Sequence, residues 1–189
     1  MAESQQQAPT ELRTLNRFIT DHNDSGLAVF NTSIPDPIPA KVVGNGDKFY
    51  LGYATTSYPA DLTNQSDIAT YSSFLTDLPG IVIPGGSVLR IVDIRPGGAS
   101  PMHRTVSLDY GVVLEGEIEL VLDSGESRVM KRGDVSIQRG TNHLWKNRSQ
   151  TEWGRMLYVL QEAKPIEING KKLGEDYGKG MEDLKASGN

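Results

Sequence analysis

The chain has three histidines and no cysteine. Two of the histidines, His103 and His143, lie in stretches of strand pattern punctuated by glycine, RPGGASPMHRTVSLDYG and QRGTNHLWKN. His103, Thr105, Ser107 and Asp109 all occupy odd positions in what reads as one strand. Strand side chains alternate between faces, so these four are expected to point the same way. His143 follows Arg139-Gly140-Thr141-Asn142, a turn that would put it at the rim of a neighbouring strand. Two imidazoles and a carboxylate meeting in a barrel mouth have two uses. They can form a two-His, one-carboxylate metal site with open positions, or they can trade protons with a buried substrate. Without cysteine, thiol catalysis and disulfides are excluded, and any metal must sit on His, carboxylate or water.

The elements around them read as short strands with glycine turns. Strands are predicted at Ser107–Leu114, Ile118–Leu122, Ser127–Lys131, Asp134–Gln138 and His143–Asn147, then across Glu152–Ala163. This spacing predicts an antiparallel sandwich or small barrel, an all-β fold with its core at 88–163. Upstream, LAVFNTSI is predicted as a strand, Asn45-Gly46 or Gly46-Asp47 as a hairpin turn, and IVIPGGSVLRIVDI as two strands about Pro-Gly-Gly. Leu12, Leu15, Phe18 and Ile19 recur at helical spacing, which predicts a short helix over 10–21 capped by Thr10. Residues 60–78 read as a long connection with a helical turn near Ile68–Leu75, and long ordered loops tend to be lids or dimer contacts. Residues 1–9 are polar and expected to be disordered; 164–189 read as a tail in which MEDLKAS is a frayed helix.

At 189 residues the chain suits one domain. Its net charge is −5, and no Lys/Arg cluster exceeds two adjacent residues, which argues against nucleic acid as a partner. No apolar leader or membrane-length run is present, so an intracellular, cytoplasmic protein is expected. Trp145 and Tyr158 are candidate aromatic pocket walls. Arg90 and Gln138, if inward, are polar groups that would need a partner or a substrate. Arg104 and Tyr110 alternate to the outer face, and His22 sits in a polar DHND turn.

These residues carry a resemblance. Gly97, His103, Thr105, Asp109 and Gly116 follow the spacing of the first cupin motif, and Gly133, Gly140, His143 and Asn147 follow the second, one residue short. Thr105 stands where a second histidine is usual, Asp109 where glutamate is, and Gln138 where proline is. The chain thus resembles the cupin superfamily over 88–160, and more loosely a branch frequent in fungi. The resemblance implies a double-sheet jelly-roll barrel, often dimeric. It also implies one divalent metal (Fe, Mn or Zn) in the mouth, here on His103, Asp109 and His143. Without a metal, no cofactor is expected, and His103, His143 and Asp109 become acid–base groups, with Thr105, Gln138, Trp145, Tyr158 and Arg90 around a small-molecule substrate.

The function expected first is a lyase, a dehydratase, decarboxylase or cyclase acting on a polyketide-like or other secondary-metabolite intermediate. The alternatives are an Fe(II)-dependent oxygenase and a non-enzymatic ligand-binding barrel. A homodimer is expected because strands in 27–53 have no obvious partner within a minimal barrel, and unpaired edges invite a second chain.

Overall fold

The computed structural model describes residues 11–179 and 185–187. The readings of 1–9, of Thr10 as a cap and of most of MEDLKAS fall outside them. The described chain is dominated by strands: β1 (Ile19–His22), β2 (Ala28–Asn31), β3 (Ala40–Val42), β4 (Lys48–Thr55), one helix α1 (Ser66–Thr76), then β5 (Ser87–Ile94), β6 (Ser107–Glu115), β7 (Ile118–Leu122), β8 (Ser127–Met130), β9 (Val135–Arg139), β10 (His143–Asn147), β11 (Gly154–Glu162), β12 (Ile166–Ile168) and β13 (Lys171–Leu173). An antiparallel sheet of order β3-β4-β5-β11-β6-β9 faces a smaller one of order β10-β7-β8, and β1-β2 and β12-β13 are separate hairpins. This is the all-β barrel that the glycine-spaced strand pattern predicts. No helix among the described residues is long and apolar enough to cross a membrane.

Alternation decides what each strand buries. Val92, Ile94, Val113, Ile118, Met130, Trp145 and Met156 pack together between the two sheets. β5 is central and carries two buried faces, because Ile91 packs outward with Leu15, Ile38 and Tyr50. Asp93 shares that outer face and lies directly opposite Arg155 on β11. The pair is bidentate, Nε to Oδ1 at 2.5 Å and Nη2 to Oδ2 at 2.6 Å, while the Tyr50 hydroxyl donates to Oδ2 at 3.0 Å. Arg155 also donates to the Arg13 carbonyl, tying the N-terminal segment down.

The loop between β10 and β11 is fixed by Asn147, which is fully buried. Its amide donates to the carbonyls of Ile94, Arg95 and Glu152, and its Oδ1 accepts from the Ser149 amide. One side chain thereby closes the end of both sheets.

Four expectations are corrected. Residues 11–18 are not helical: the backbone pairs instead with the Pro37 region, where Ile38 donates to the Leu15 carbonyl. Only Leu15 of the four apolar residues is deeply buried, and Phe18 stays exposed beside Phe30. Residues 66–76 form a full helix, not one turn. Its Ile68 and Tyr71 are buried, and the Tyr71 hydroxyl donates to the Leu51 carbonyl on β4. Pro-Gly-Gly is followed by a strand but not preceded by one, since the Val82 amide donates to the Ser187 hydroxyl. Finally, β3 and β4 do have partners, because β4 pairs with β5 and extends the larger sheet.

Candidate functional site

His103 precedes β6 and lies directly across from His143, the first residue of β10. Each backbone amide donates to the other's carbonyl at 2.9 Å. Directly opposed residues of an antiparallel pair project to the same face, and the two rings sit with centroids 4.3 Å apart. The Nδ1 of His103 lies 2.9 Å from the Pro101 carbonyl and the Nδ1 of His143 lies 2.9 Å from the Thr141 carbonyl. A carbonyl only accepts, so both rings carry the proton on Nδ1 and keep a lone pair on Nε2.

The chain then changes sheets. Arg104 pairs outward with Asp176, and its Nε donates to the Gly174 carbonyl, holding the C-terminal segment. Asp109 is in β6 of the larger sheet, opposite Leu160 on one side and Gln138 on the other. His103, Thr105, Ser107 and Asp109 are all buried as the alternation predicts, but they do not share one strand. The Ser107 hydroxyl donates to Thr105 Oγ1 at 2.7 Å, and Thr105 donates to Asp109 Oδ2 at 3.3 Å.

The two sheets enclose a cavity of about 90 Å³ into which His103, His143, Asp109, Thr105, Gln138 and Arg90 all face, with Trp145 and Tyr158 in its walls. Trp145 touches both His143 and Tyr158, each at 5.5 Å between ring centroids. Gly111 lies opposite Tyr158, and a Cβ there would meet the Ser136 hydroxyl at 2.6 Å and the Tyr158 ring at 3.3 Å. The glycine makes room for the phenol. No residue of 60–78 lines this cavity.

Burial dominates the electrostatics. It lowers the His143 imidazole to about 3, with His103 beside it adding to the shift, and lowers His103 too, against the opposing pull of the Pro101 carbonyl. Both rings are therefore neutral at pH 7. Burial pushes Asp109 up to about 6, only partly offset by the hydroxyls of Ser107 and Thr105. Burial, then the neighbouring Asp109, holds the Tyr158 phenol well above its ordinary range, so it keeps its proton. Among the described residues, three buried polar atoms at the cavity find no partner: Asp109 Oδ1, Gln138 Nε2 and Arg90 Nε.

A metal held by His103, Asp109 and His143 does not fit these side chains. The two imidazoles offer Nε2 lone pairs of the right kind, but they come from the smaller sheet and the carboxylate from the larger. Among the described residues no three His, Asp or Glu side chains gather closely enough to hold a metal ion. Thr105 is engaged with Ser107 and Asp109, and its hydroxyl is a poor ligand.

Several wall residues were not singled out from sequence, Phe49 among them. Phe49, from β4, faces the cavity and lies under Arg90. The alternation of Phe49, Leu51 and Tyr53 with Tyr50 and Gly52 placed it on one face, but nothing local said which face was inward.

Residues 90–160 match the cupin domain family. The chain is 70% identical over 189 residues, the whole of both chains, to phomopsin biosynthesis cluster protein D of Diaporthe leptostromiformis. It is 48% identical over 164 residues to oryzines biosynthesis cluster protein J of Aspergillus oryzae, covering 87% of this chain and 92% of that one. It is 43% identical over 162 residues to a cupin-domain-containing oxidoreductase of Hypocrea virens, covering 84% and 81%.

Proposed function

The chain belongs to the cupin family, and we propose that it is an enzyme of secondary-metabolite biosynthesis whose cavity performs proton-transfer chemistry on a small molecule, as a dehydratase, decarboxylase or cyclase. The observation that carries this reading is the pairing of two neutral imidazoles with a carboxyl held near pH 6 in one mostly apolar cavity. Groups pushed in different directions by their surroundings can divide the roles of acid and base.

His103 is the base. Its Nδ1–H is spent on Pro101, so its Nε2 lone pair accepts a proton from a substrate carbon. His143, the weaker base, accepts a hydrogen bond from the substrate. Asp109 is the acid: in apolar surroundings the neutral form is favoured, and Oδ1, which has no protein partner, is where its proton can be given up. For a dehydration, the C–H and C–O bonds break and the C=C bond forms. His103 gains the proton, Asp109 delivers one to the departing hydroxyl, and water leaves. Solvent then restores both groups.

The names of relatives such as the Hypocrea virens oxidoreductase favour a second reading, a net oxidation. One experiment separates the two. Extract from a host lacking the gene is incubated with the purified protein, while product mass and dissolved oxygen are followed. Proton-transfer chemistry predicts a product lighter by water or carbon dioxide, or of unchanged mass, with no oxygen uptake. A product altered by two hydrogens or by one oxygen atom, with oxygen consumed, would overturn it.

A further inference from the structure

Arg90 sits on β5 directly opposite Tyr158 on β11 and is only 6% exposed. Among the described residues its charge has no counterion: no carboxylate pairs with it, its Nη2 reaches only the Gly80 carbonyl at 3.3 Å, and its Nε has no partner at all. The Phe49 ring lies 5.9 Å from the guanidinium carbon. Elsewhere in the same sheet a buried arginine is treated differently: Arg155 holds Asp93 in a bidentate pair. An isolated buried charge is costly, and such groups are retained where an ion or ligand completes them. Burial lowers Arg90 to about 10, which still leaves it charged at neutral pH.

Arg90 shares the His103–His143 cavity with two other unpartnered buried atoms, the Gln138 Nε2 donor and the Asp109 Oδ1. Arg90 also borders a neighbouring cleft of about 360 Å³. The vacant hydrogen-bonding positions ask for a ligand with acceptor oxygens at the arginine end and a hydroxyl at the Asp109 end. A guanidinium edge matches the planar, two-oxygen shape of a carboxylate. A phosphate, with twice the charge, would call for further cations, and among the described residues Arg90 is the only Lys or Arg lining this cavity. We infer that the substrate is an organic carboxylate, held by Arg90 with its reacting carbon toward His103 and His143. This names the substrate class for the proton-transfer reading and rests on it for which end reacts, whereas the anion site itself can be tested without turnover.

The probes are acetate and benzoate, each against its neutral amide, with thermal protection and quenching of tryptophan fluorescence as readouts. Wild-type protein should bind at least one carboxylate at least about tenfold more tightly than its amide. Arg90→Gln should remove that preference and Arg90→Lys should keep part of it. The carboxylate-over-amide ratio, whatever the absolute affinity, should persist in His103→Ala and His143→Ala, because Arg90 and not the imidazoles sets it. Equal binding of carboxylate and amide by wild type, or no binding of either carboxylate, would overturn the inference even if Arg90→Gln failed to fold. Undiminished carboxylate preference in a folded Arg90→Gln would do the same. If the histidine variants turn over normally while carboxylate preference stands, the proton-transfer reading falls and the anion site survives. If they lose turnover while the preference is absent, the anion site falls alone.

Discussion

His103→Ala lowers turnover by about 10²–10⁴-fold, the usual worth of a positioned general acid or base. The loss falls on the rate far more than on substrate binding, because the anchoring groups Arg90 and Gln138 lie on the facing sheet. Asp109 sets the pH dependence. It acts in its protonated form, and burial holds it near 6, so the wild-type rate falls as pH rises through about 6. On the acid side the rate falls only when His103 takes a proton, below the ordinary imidazole range, because burial lowers it. In Asp109→Asn the remaining activity is small and the decline near pH 6 is gone. A pH profile of single-turnover rates for the three proteins checks this. A decline near pH 6 that persists in Asp109→Asn would assign it to another group.

The second large effect is on stability. Asp93→Ala leaves the Arg155 guanidinium, 3% exposed, without its counterion and the Tyr50 hydroxyl without its acceptor. Removing one partner of a buried pair costs about 3–5 kcal/mol, and for a domain of this size each kcal/mol moves Tm by roughly 2–4 °C. The expected fall is therefore about 6–20 °C. The double change Asp93→Leu with Arg155→Met should recover much of it, because well-packed apolar side chains can replace a buried ion pair. Thermal and urea denaturation of both variants measure the two quantities. A loss below about 1 kcal/mol in Asp93→Ala, the range of exposed pairs, would show that the site is wetter than its burial implies.

Much of this was legible along the chain and some was not, for identifiable reasons. The strands from β6 to β11 are marked locally, by alternation and by glycines at their ends, so their order and bounds could be read. The candidate cavity histidines stand out because both flank glycine turns at a recurrent spacing. What cannot be read is how the chain crosses between sheets after His103. That crossing puts Asp109 on the facing sheet, opposite Gln138 and Leu160, and among the described residues it forms no metal-holding group with the histidines. The Asp93–Arg155 pair joins residues far apart in sequence, and nothing local announces it. Over 11–18, helical spacing misled because tertiary pairing with the Pro37 region satisfied the backbone first. Arg90 could be named as a polar residue that would need a partner if inward. Its lack of one appears only in three dimensions.

The most direct test needs no substrate. Nitrogen chemical shifts of His103 and His143 in ¹⁵N-histidine-labelled protein report charge and tautomer together. Both rings are expected to be neutral at pH 7 with the proton on Nδ1, and His143 to stay neutral down to about pH 3, provided that the fold holds. A charged ring at pH 7, or a proton on Nε2 of His103, would remove the lone pair on which the proposed base depends and would contradict the proton-transfer reading.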